Sequence, residues 1–376
     1  MKLMGRIGYF FQNLSGRTLR EIIAIAVILL ISAALSLSVF FSDAEKSREQ
    51  KKAENEFKTA VPVAQDPREI LFEKADGLLS GTLACSFIVM RQDAVLHEKY
   101  FGGSGPDDYN NVFSVTKSVV SALTGICIRE KFIGGTEDKL AGYFPEEVGR
   151  ETDKRWQDIT LGHILTMTPG FVEDLDPWTA SSDWIDATFR LPLNYRPGER
   201  FQYANSASHL LSVVLTKASG MSTYELAEKF LFKPMNITQK KWSQDPAGNY
   251  TGYANLFLRP RDMAKFGRLY LNKGKWEGKQ LIPQKWVEES TTVRYDFNKE
   301  EDKGYTNGYG YKWWINGETG YYMYSALGYG GQSINVIPEL ELVVVITAMP
   351  SYNPTITDEL RIRLLKEYII PACYTK

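Results

Sequence analysis

The chain has 376 residues, of which 44% are hydrophobic and 13% aromatic, so it can form one large domain or two smaller ones. Its formal net charge of -1 gives no electrostatic reason to bind a polyanion, and nucleic acid is therefore not expected as a partner. The three cysteines, Cys85, Cys127 and Cys373, lie far apart and form no Cys-x-x-Cys motif, which argues against a zinc site or a disulfide scaffold. A single bridge between Cys85 and Cys373 is left open.

The first predicted element is an uncharged apolar stretch at residues 22–41, IIAIAVILLISAALSLSVFF. As a helix, about 20 residues span roughly 30 Å, the thickness of the hydrocarbon core of a bilayer. Basic residues precede the stretch, which predicts a cytoplasmic N-terminus at residues 1–21 and an extracytoplasmic body. The alternative is a cleaved signal peptide with a site at residues 42–44. Apolar regions of signal peptides are shorter, about 7–15 residues, so a retained membrane anchor is favoured.

A tether and one globular region follow the predicted anchor. Residues 42–66 mix both charge signs and predict the tether, and residues 67–376 form the globular region. EILFEKADGLLS predicts a helix, and ACSFIVMRQDAVLHEKYFGG predicts two strands joined at RQDA. A mostly helical stretch at about 136–270 separates these from three strand segments, GYGYKWWING, YYMYSALGYGGQSINVIPE and LELVVVITAM, and from a last amphipathic helix, TDELRIRLLKEYII. The pattern predicts an α/β domain split by a helical insertion.

The first chemical motif lies in NNVFSVTKSVVSALTG at residues 110–125. Ser114 and Lys117 lie three residues apart and share one helical face, so the hydroxyl and the amine can meet. The rest of the helix is largely apolar, which predicts that it is buried. Burial lowers a lysine pKa, and neutrality near pH 7 requires a decrease of roughly 3 units, or about 4 kcal/mol. A neutral amine beside a hydroxyl is a general base beside a nucleophile.

A second segment supports this interpretation, because Ser-x-x-Lys alone also fits a capped helix whose lysine reaches solvent. The sequence PGERFQYANSASHLL places Tyr203 and Asn205 just before a predicted helix. A tyrosine can relay the serine proton to a leaving group, and an asparagine amide can hold a substrate carbonyl or Lys117. Alone, Tyr203 is equally well explained as a buried aromatic side chain.

A third segment, ALGYGGQSINVIPELELVVV, contains the run Tyr329-Gly330-Gly331-Gln332 at the entry to a strand. The glycines allow a substrate to lie against the strand edge. The backbone N–H of Gln332 can then form an oxyanion hole together with the N–H of Ser114. Alone, the glycines are explained as a tight strand entry.

The three histidines, His97, His163 and His209, are the residues on which a Ser-His-Asp enzyme or a histidine metal site would depend. Each lies in a predicted strand or helix, and a structural role is favoured for each. No metal and no cofactor are expected.

Aromatic side chains are the expected walls of a substrate cleft. Trp178 and Trp184 lie in the polar segment DLDPWTASSDW, where large apolar rings need a reason, although at least half of the eight tryptophans belong in a core. Trp178 is the predicted substrate wall.

Together, the three motifs resemble those of the serine β-lactamase and penicillin-binding superfamily, over about residues 70–370. The resemblance is to its class C β-lactamase-like branch, which includes esterases, D-aminopeptidases and 6-aminohexanoate-dimer hydrolases. It implies an antiparallel sheet flanked by helices, with an inserted helical subdomain. It also implies Ser114 as nucleophile, Lys117 as its base, Tyr203 as proton relay and Asn205 as a positioning amide.

The third motif departs from the family pattern. Members that act on β-lactams or D-alanyl-D-alanine carry Lys-Thr-Gly or His-Thr-Gly, whereas this chain has Tyr329 at the basic position and Gly330 at the hydroxyl position. Loss of a charge-assisted contact to a substrate carboxylate costs about 1.5–3 kcal/mol. The motif GYGGQ therefore looks more like that of the 6-aminohexanoate-dimer hydrolase and esterase members.

Three hypotheses follow. The first is a membrane-anchored serine hydrolase that cleaves a small ester, amide or short peptide through an acyl-enzyme. The second keeps this chemistry but acts on cell-wall peptide or β-lactam as a D-alanyl-D-alanine peptidase or β-lactamase, which Tyr329 opposes. The third is a sensor that binds muropeptides without catalysis, and the intact serine, lysine and tyrosine argue against it.

Overall fold

The computed structural model describes residues 68–173, 175–238, 241–297 and 307–374. The predicted N-terminus, membrane span and tether at residues 1–66 lie outside these ranges. Within them, every helix is too short or too polar to traverse a bilayer.

Strands and helices alternate unevenly along the described ranges. The strands are β1 (Ala84–Arg91), β2 (Ala94–Tyr100), β3 (Asn110–Asn111), β4 (Phe257–Leu258), β5 (Lys275–Trp276), β6 (Lys279–Gln280), β7 (Tyr295–Asp296), β8 (Gly308–Tyr309), β9 (Trp314–Asn316), β10 (Met323–Gly328), β11 (Gln332–Ile337) and β12 (Leu342–Ala348). The helices are α1 (Glu69–Ser80), α2 (Val115–Arg129), α3 (Pro145–Arg150), α4 (Leu161–Leu165), α5 (Leu175–Ala180), α6 (Trp184–Phe189), α7 (Asn205–Ser219), α8 (Thr223–Ala227), α9 (Pro260–Leu271), α10 (Gln284–Ser290), α11 (Asp358–Leu364) and α12 (Ile370–Tyr374).

Eight of these strands form one antiparallel sheet in the order β2-β1-β12-β11-β10-β9-β8-β7. The sequence of β12, LVVVITA, is rich in β-branched residues, and every residue of this strand is buried. Such a run fits a strand that is covered on both faces. The predicted α/β fold with an antiparallel sheet and flanking helices is confirmed.

The two faces of the sheet are covered by different helices. On one face, α1 and the C-terminal helices pack on β1 and β12 in a single core, which includes Phe72, Phe87, Val344 and Ile369. On the other face, α9 approaches so closely that a Cβ added at Gly267 would lie 2.6 Å from a methyl of Val343. A glycine is therefore needed where this helix crosses the sheet.

The described residues between β2 and β7 contribute helices and two separate two-stranded ribbons, β3–β4 and β5–β6. Helix α2 packs against α7, β10 and α10. A Cβ at Gly125 would lie 2.2 Å from the Trp286 ring, so α2 and α10 are in direct backbone-to-ring contact. The buried α2 thus links the sheet to the helical part.

Two predicted segments differ in detail. YYMYSALGYGGQSINVIPE forms two strands, β10 and β11, because Gly330 and Gly331 have φ values of 81° and 102° and turn the chain. The last predicted helix is interrupted by a π-helical turn at Leu365–Ile369 before α12. Cys85 and Cys373, whose pairing the sequence left open, are both free thiols.

Candidate active site

Ser114 and Lys117 lie at the N-terminus of α2 and contact each other directly. The Lys117 Nζ is 2.9 Å from the Ser114 Oγ, as expected for side chains three residues apart on a helix. Ser114 is partly exposed, whereas Lys117 is only 1% exposed. The hydroxyl is thus open to a substrate, and the amine reaches it from the protein interior.

The backbone before Ser114 is held in an unusual conformation. Phe113 has a φ of 45°, in the left-handed region that costs a non-glycine residue about 1–3 kcal/mol. Its N–H donates to the Asn111 Oδ1 at 2.9 Å, and the Val112 N–H donates to the Leu256 carbonyl at 2.9 Å. The β3–β4 ribbon therefore fixes the direction in which Ser114 leaves the loop and enters α2.

The amine of Lys117 is buried and has three acceptors. Besides Ser114, it donates to the Asn205 Oδ1 at 2.7 Å and to the Tyr253 carbonyl at 2.9 Å. The rings of Tyr203 and Tyr253 lie 4.8 and 5.6 Å from Nζ. Burial lowers the pKa of Lys117 to about 7, while the Glu173 carboxylate acts in the opposite direction. A large fraction of the amine is therefore neutral near pH 7, the state that can accept a proton.

Tyr203 and Asn205 are positioned by the start of α7. Ala204 is the N-cap of this helix, and Asn205 is its first residue, which directs the Asn205 amide toward α2. The half-buried Tyr203 ring stacks on Trp314 at 5.9 Å between centroids. The structure thus brings Ser114, Lys117, Tyr203 and Asn205 together, as the motifs predict.

Sequence reasoning missed Glu173, which lies in the segment before α5. Its two carboxylate oxygens accept the backbone N–H groups of Asn205 and Ser206, both at 2.6 Å. The partners are 32 and 33 residues apart in sequence, so no local capping pattern could reveal the contact.

Sequence reasoning also missed a second buried lysine, Lys312, which is 2% exposed. Its Nζ lies 2.5 Å from the Ile164 carbonyl oxygen and 3.2 Å from the Met167 Sδ. Ser118, next to Lys117, donates its hydroxyl to the Lys312 carbonyl at 2.7 Å. Burial lowers the pKa of Lys312 well below its ordinary value, and Lys117 lowers it further. The sequence feature that could have revealed Lys312 is its position inside the aromatic run YGYKWW, which indicates a buried segment.

The third motif forms the turn between β10 and β11. The Tyr329 hydroxyl donates to the Ser351 carbonyl at 2.6 Å, and its ring, 47% exposed, lies edge-on to Phe113 at 5.6 Å. The Gln332 side chain is buried and bonds to the backbone of Ala348 on β12. The side chain of Gln332 therefore belongs to the sheet, and the oxyanion role of its backbone N–H stays a prediction. Gly330 and Gly331 supply the left-handed turn residues.

Trp178 does not form the open wall that the sequence predicts. It is 2% exposed, and its indole N–H donates to the Trp184 carbonyl and to the Thr188 Oγ1, both at 3.0 Å. Its ring lies edge-on to Tyr253 at 5.4 Å. The cause is that DLDPWTASSDW forms α5 and the start of α6, so both of its tryptophans are buried and pack against the Tyr253 ring.

Each histidine has a structural partner. The His97 Nε2 lies 2.8 Å from the Asp76 Oδ1, and the His209 Nε2 lies 2.9 Å from the Asp245 Oδ2. His163 closes the capping box of α4. These contacts match the structural roles that the sequence favoured.

The chain is similar to known proteins over most of its length. A model of the beta-lactamase family matches residues 75–366. The 6-aminohexanoate-dimer hydrolase of Paenarthrobacter ureafaciens is 26% identical over 292 residues, which cover 71% of this chain and 73% of the relative.

Solved structures give the same fold. A penicillin-binding protein homologue from Caulobacter crescentus has a TM-score of 0.68 at 16% identity, covering 83% of this chain and 99% of that one. EstCE1, a hydrolase with promiscuous acyltransferase activity, has a TM-score of 0.68 at 12% identity, covering 80% of this chain and 99% of that one. At these identities the likeness establishes the fold alone.

Proposed function

The chain belongs to the beta-lactamase family, and we propose that it is a serine hydrolase that cleaves an ester or amide bond through an acyl-enzyme intermediate. The observation that carries this proposal is the contact between the buried, partly neutral amine of Lys117 and the partly exposed hydroxyl of Ser114. A neutral amine in that position can take the proton of the hydroxyl.

Acylation proceeds by attack of Ser114 and loss of the leaving group. The Ser114 Oγ attacks the substrate carbonyl carbon while its proton passes to the Lys117 Nζ, and an oxyanion forms. Collapse of this intermediate breaks the bond to the leaving group, which receives a proton through the Tyr203 hydroxyl. In deacylation, water attacks the carbonyl carbon of the acyl-enzyme ester and gives a proton to Lys117 and Tyr203. Ser114 takes up this proton as the ester bond breaks and the acid is released.

The oxyanion is stabilised by backbone N–H groups. Ser114 lies at the N-terminus of α2, where the first N–H groups have no acceptor within the helix. Gln332 begins β11 directly after the glycine turn. Removal of one such donor typically costs about 10²–10³ in rate.

The substrate of this proposal is a small ester or amide whose acyl group carries no carboxylate. The relative from Paenarthrobacter is a 6-aminohexanoate-dimer hydrolase, which supports amide cleavage. Tyr329 lies edge-on to Phe113, the residue before the nucleophile, and presents a half-exposed phenol ring at the basic position of the motif. A phenol offers no positive charge to a substrate carboxylate.

We expect the protein to hydrolyse p-nitrophenyl butyrate with a kcat/KM about 10- to 100-fold above that for the p-nitrophenyl half-ester of succinic acid. The two substrates differ only at the end of the acyl chain, which is a methyl group in the butyrate and a carboxylate in the half-ester. Tyr329→Lys should reduce this ratio about tenfold, because it restores a cation. Tyr329→Phe is the matched control and should leave the ratio unchanged.

Two results would contradict this preference. Faster hydrolysis of the half-ester by the native protein, or covalent labelling by a fluorescent penicillin, would favour a D-alanyl-D-alanine peptidase or β-lactamase. Tight muropeptide binding without acylation would favour a non-catalytic sensor.

We also propose that residues 22–41 anchor the protein and hold the catalytic domain outside the cytoplasm, on the basis of the uncharged 20-residue stretch and the basic residues before it. The full chain should stay in the membrane fraction after an alkaline carbonate wash, and protease added to spheroplasts should digest its body. A chain that begins at Arg68 is the control and should be soluble. Release of the full chain by carbonate would contradict the anchor.

A further inference from the structure

Helix α7 obtains the cap at its N-terminus from a distant segment. Its N-cap residue, Ala204, has no side chain that can accept a hydrogen bond. The Glu173 carboxylate accepts the N–H groups of Asn205 and Ser206 instead, both at 2.6 Å. A negative charge at the start of a helix is also favoured by the helix dipole.

This cap is linked to the reacting groups through one residue. The backbone of Asn205 is held by Glu173, and its side-chain Oδ1 accepts a hydrogen bond from the Lys117 Nζ at 2.7 Å. Tyr203, whose ring lies 4.8 Å from the same Nζ, is two residues before Asn205. A change at Glu173 is therefore expected to displace Asn205, the first residue of α7, and Tyr203, which precedes the helix.

Polar and titratable side chains from several elements surround Lys117. Ser114 faces it from its own helix, Tyr203 from the start of α7 and Tyr253 from the segment before β4. Lys312 lies in the turn before β9, and the nearby Lys117 amine lowers its pKa. The Glu173 carboxylate raises the pKa of both lysines, against the effect of burial.

We propose that Glu173 is a positioning residue of the active site, which holds Asn205 and, through it, the amine of Lys117. This inference rests on the proposed function, because it assigns Glu173 to the reaction for which Lys117 is the base.

The charge of Glu173 has a measurable consequence for the pH profile. A nearby anion favours the protonated amine and so raises the pKa of Lys117. Glu173→Gln removes that anion, so the acid limb of kcat/KM should move to lower pH by about half a unit to one unit. The rate plateau should fall several-fold, because the carboxylate offers a separate oxygen to each N–H group, whereas the amide would place its NH2 group against one of them.

Two further variants separate positioning from charge. Glu173→Asp keeps the charge on a shorter side chain, so its plateau should fall while its acid limb stays at the position of the native protein. Glu225→Gln is the matched control, because Glu225 also caps a helix through a backbone N–H, that of Ser222, but on α8, which carries none of the site residues. Neither its plateau nor its acid limb should move.

The experiment measures kcat/KM for p-nitrophenyl butyrate and the rate of fluorophosphonate labelling of Ser114 from pH 5 to 9, using the full chain. A folded Glu173→Gln protein with an unchanged acid limb would show that Glu173 is only a helix cap. If that variant does not fold, a Glu173→Asp protein with an unchanged plateau would overturn the proposal. Absence of labelling in the native protein would instead overturn the proposed function, and the role of Glu173 with it.

Discussion

Replacement of Ser114 by alanine is expected to reduce hydrolysis of p-nitrophenyl butyrate by at least about 10⁴-fold. The variant lacks the oxygen that would form the acyl-enzyme, and its Lys117 amine has no hydroxyl from which to remove a proton. Steady-state rates, compared with the background hydrolysis of the ester in buffer, measure the effect. Mass spectrometry after fluorophosphonate treatment should show one adduct on Ser114 in the native protein and none in the variant.

The matched control is Ser121→Ala on the same helix. Ser121 is fully buried in α2, and its hydroxyl is without a hydrogen-bond partner among the described residues, so its removal should leave both activity and labelling intact. Retained esterase activity in Ser114→Ala, or an adduct on another serine, would exclude Ser114 as the nucleophile.

The contact between Ser114 and Lys117 could be predicted because it is local. The i, i+3 spacing on a helix with an almost wholly apolar surface determines both the meeting of the side chains and the burial of the amine. Burial lowers the pKa of Lys117 to about 7, which agrees with the decrease of roughly 3 units that the sequence required. Helix α1 and strand β12 were predictable for the same reason, since local periodicity or a β-branched run specifies each of them.

The rest of the site could not be predicted because it depends on tertiary contacts. Glu173 meets the start of α7 across 32 residues, and Lys312 meets α2 through a carbonyl across 194 residues. Neither contact leaves a pattern in the local sequence. The error at Trp178 has a similar origin, because its ring is buried by tertiary contacts although several polar neighbours are exposed and Asp183 caps α6.

Replacement of Lys117 by methionine is expected to lower kcat/KM by about 10²–10⁴-fold, the usual contribution of a general base. Methionine is similar in length and apolar, so it can occupy the buried channel without a charge. In the native protein, kcat/KM should fall as the pH decreases below about 7, because the pKa of Lys117 is lowered to about 7 and only the neutral amine accepts a proton. The residual activity of the variant should lack this acid limb.

The same protonation equilibrium should appear in the stability of the protein. Burial lowers the pKa of Lys117 in the folded state to about 7, whereas an unfolded lysine titrates near 10.4. Between these values the unfolded chain binds one more proton than the folded chain, so the free energy of unfolding rises with pH. From pH 7 to 9, the native protein should gain about 2 kcal/mol relative to Lys117→Met, measured by urea unfolding. The difference isolates Lys117, because the other titrating groups are common to both proteins. A flat difference over this range would show that folding leaves the proton on Lys117, and a permanently charged ammonium cannot act as the base for Ser114.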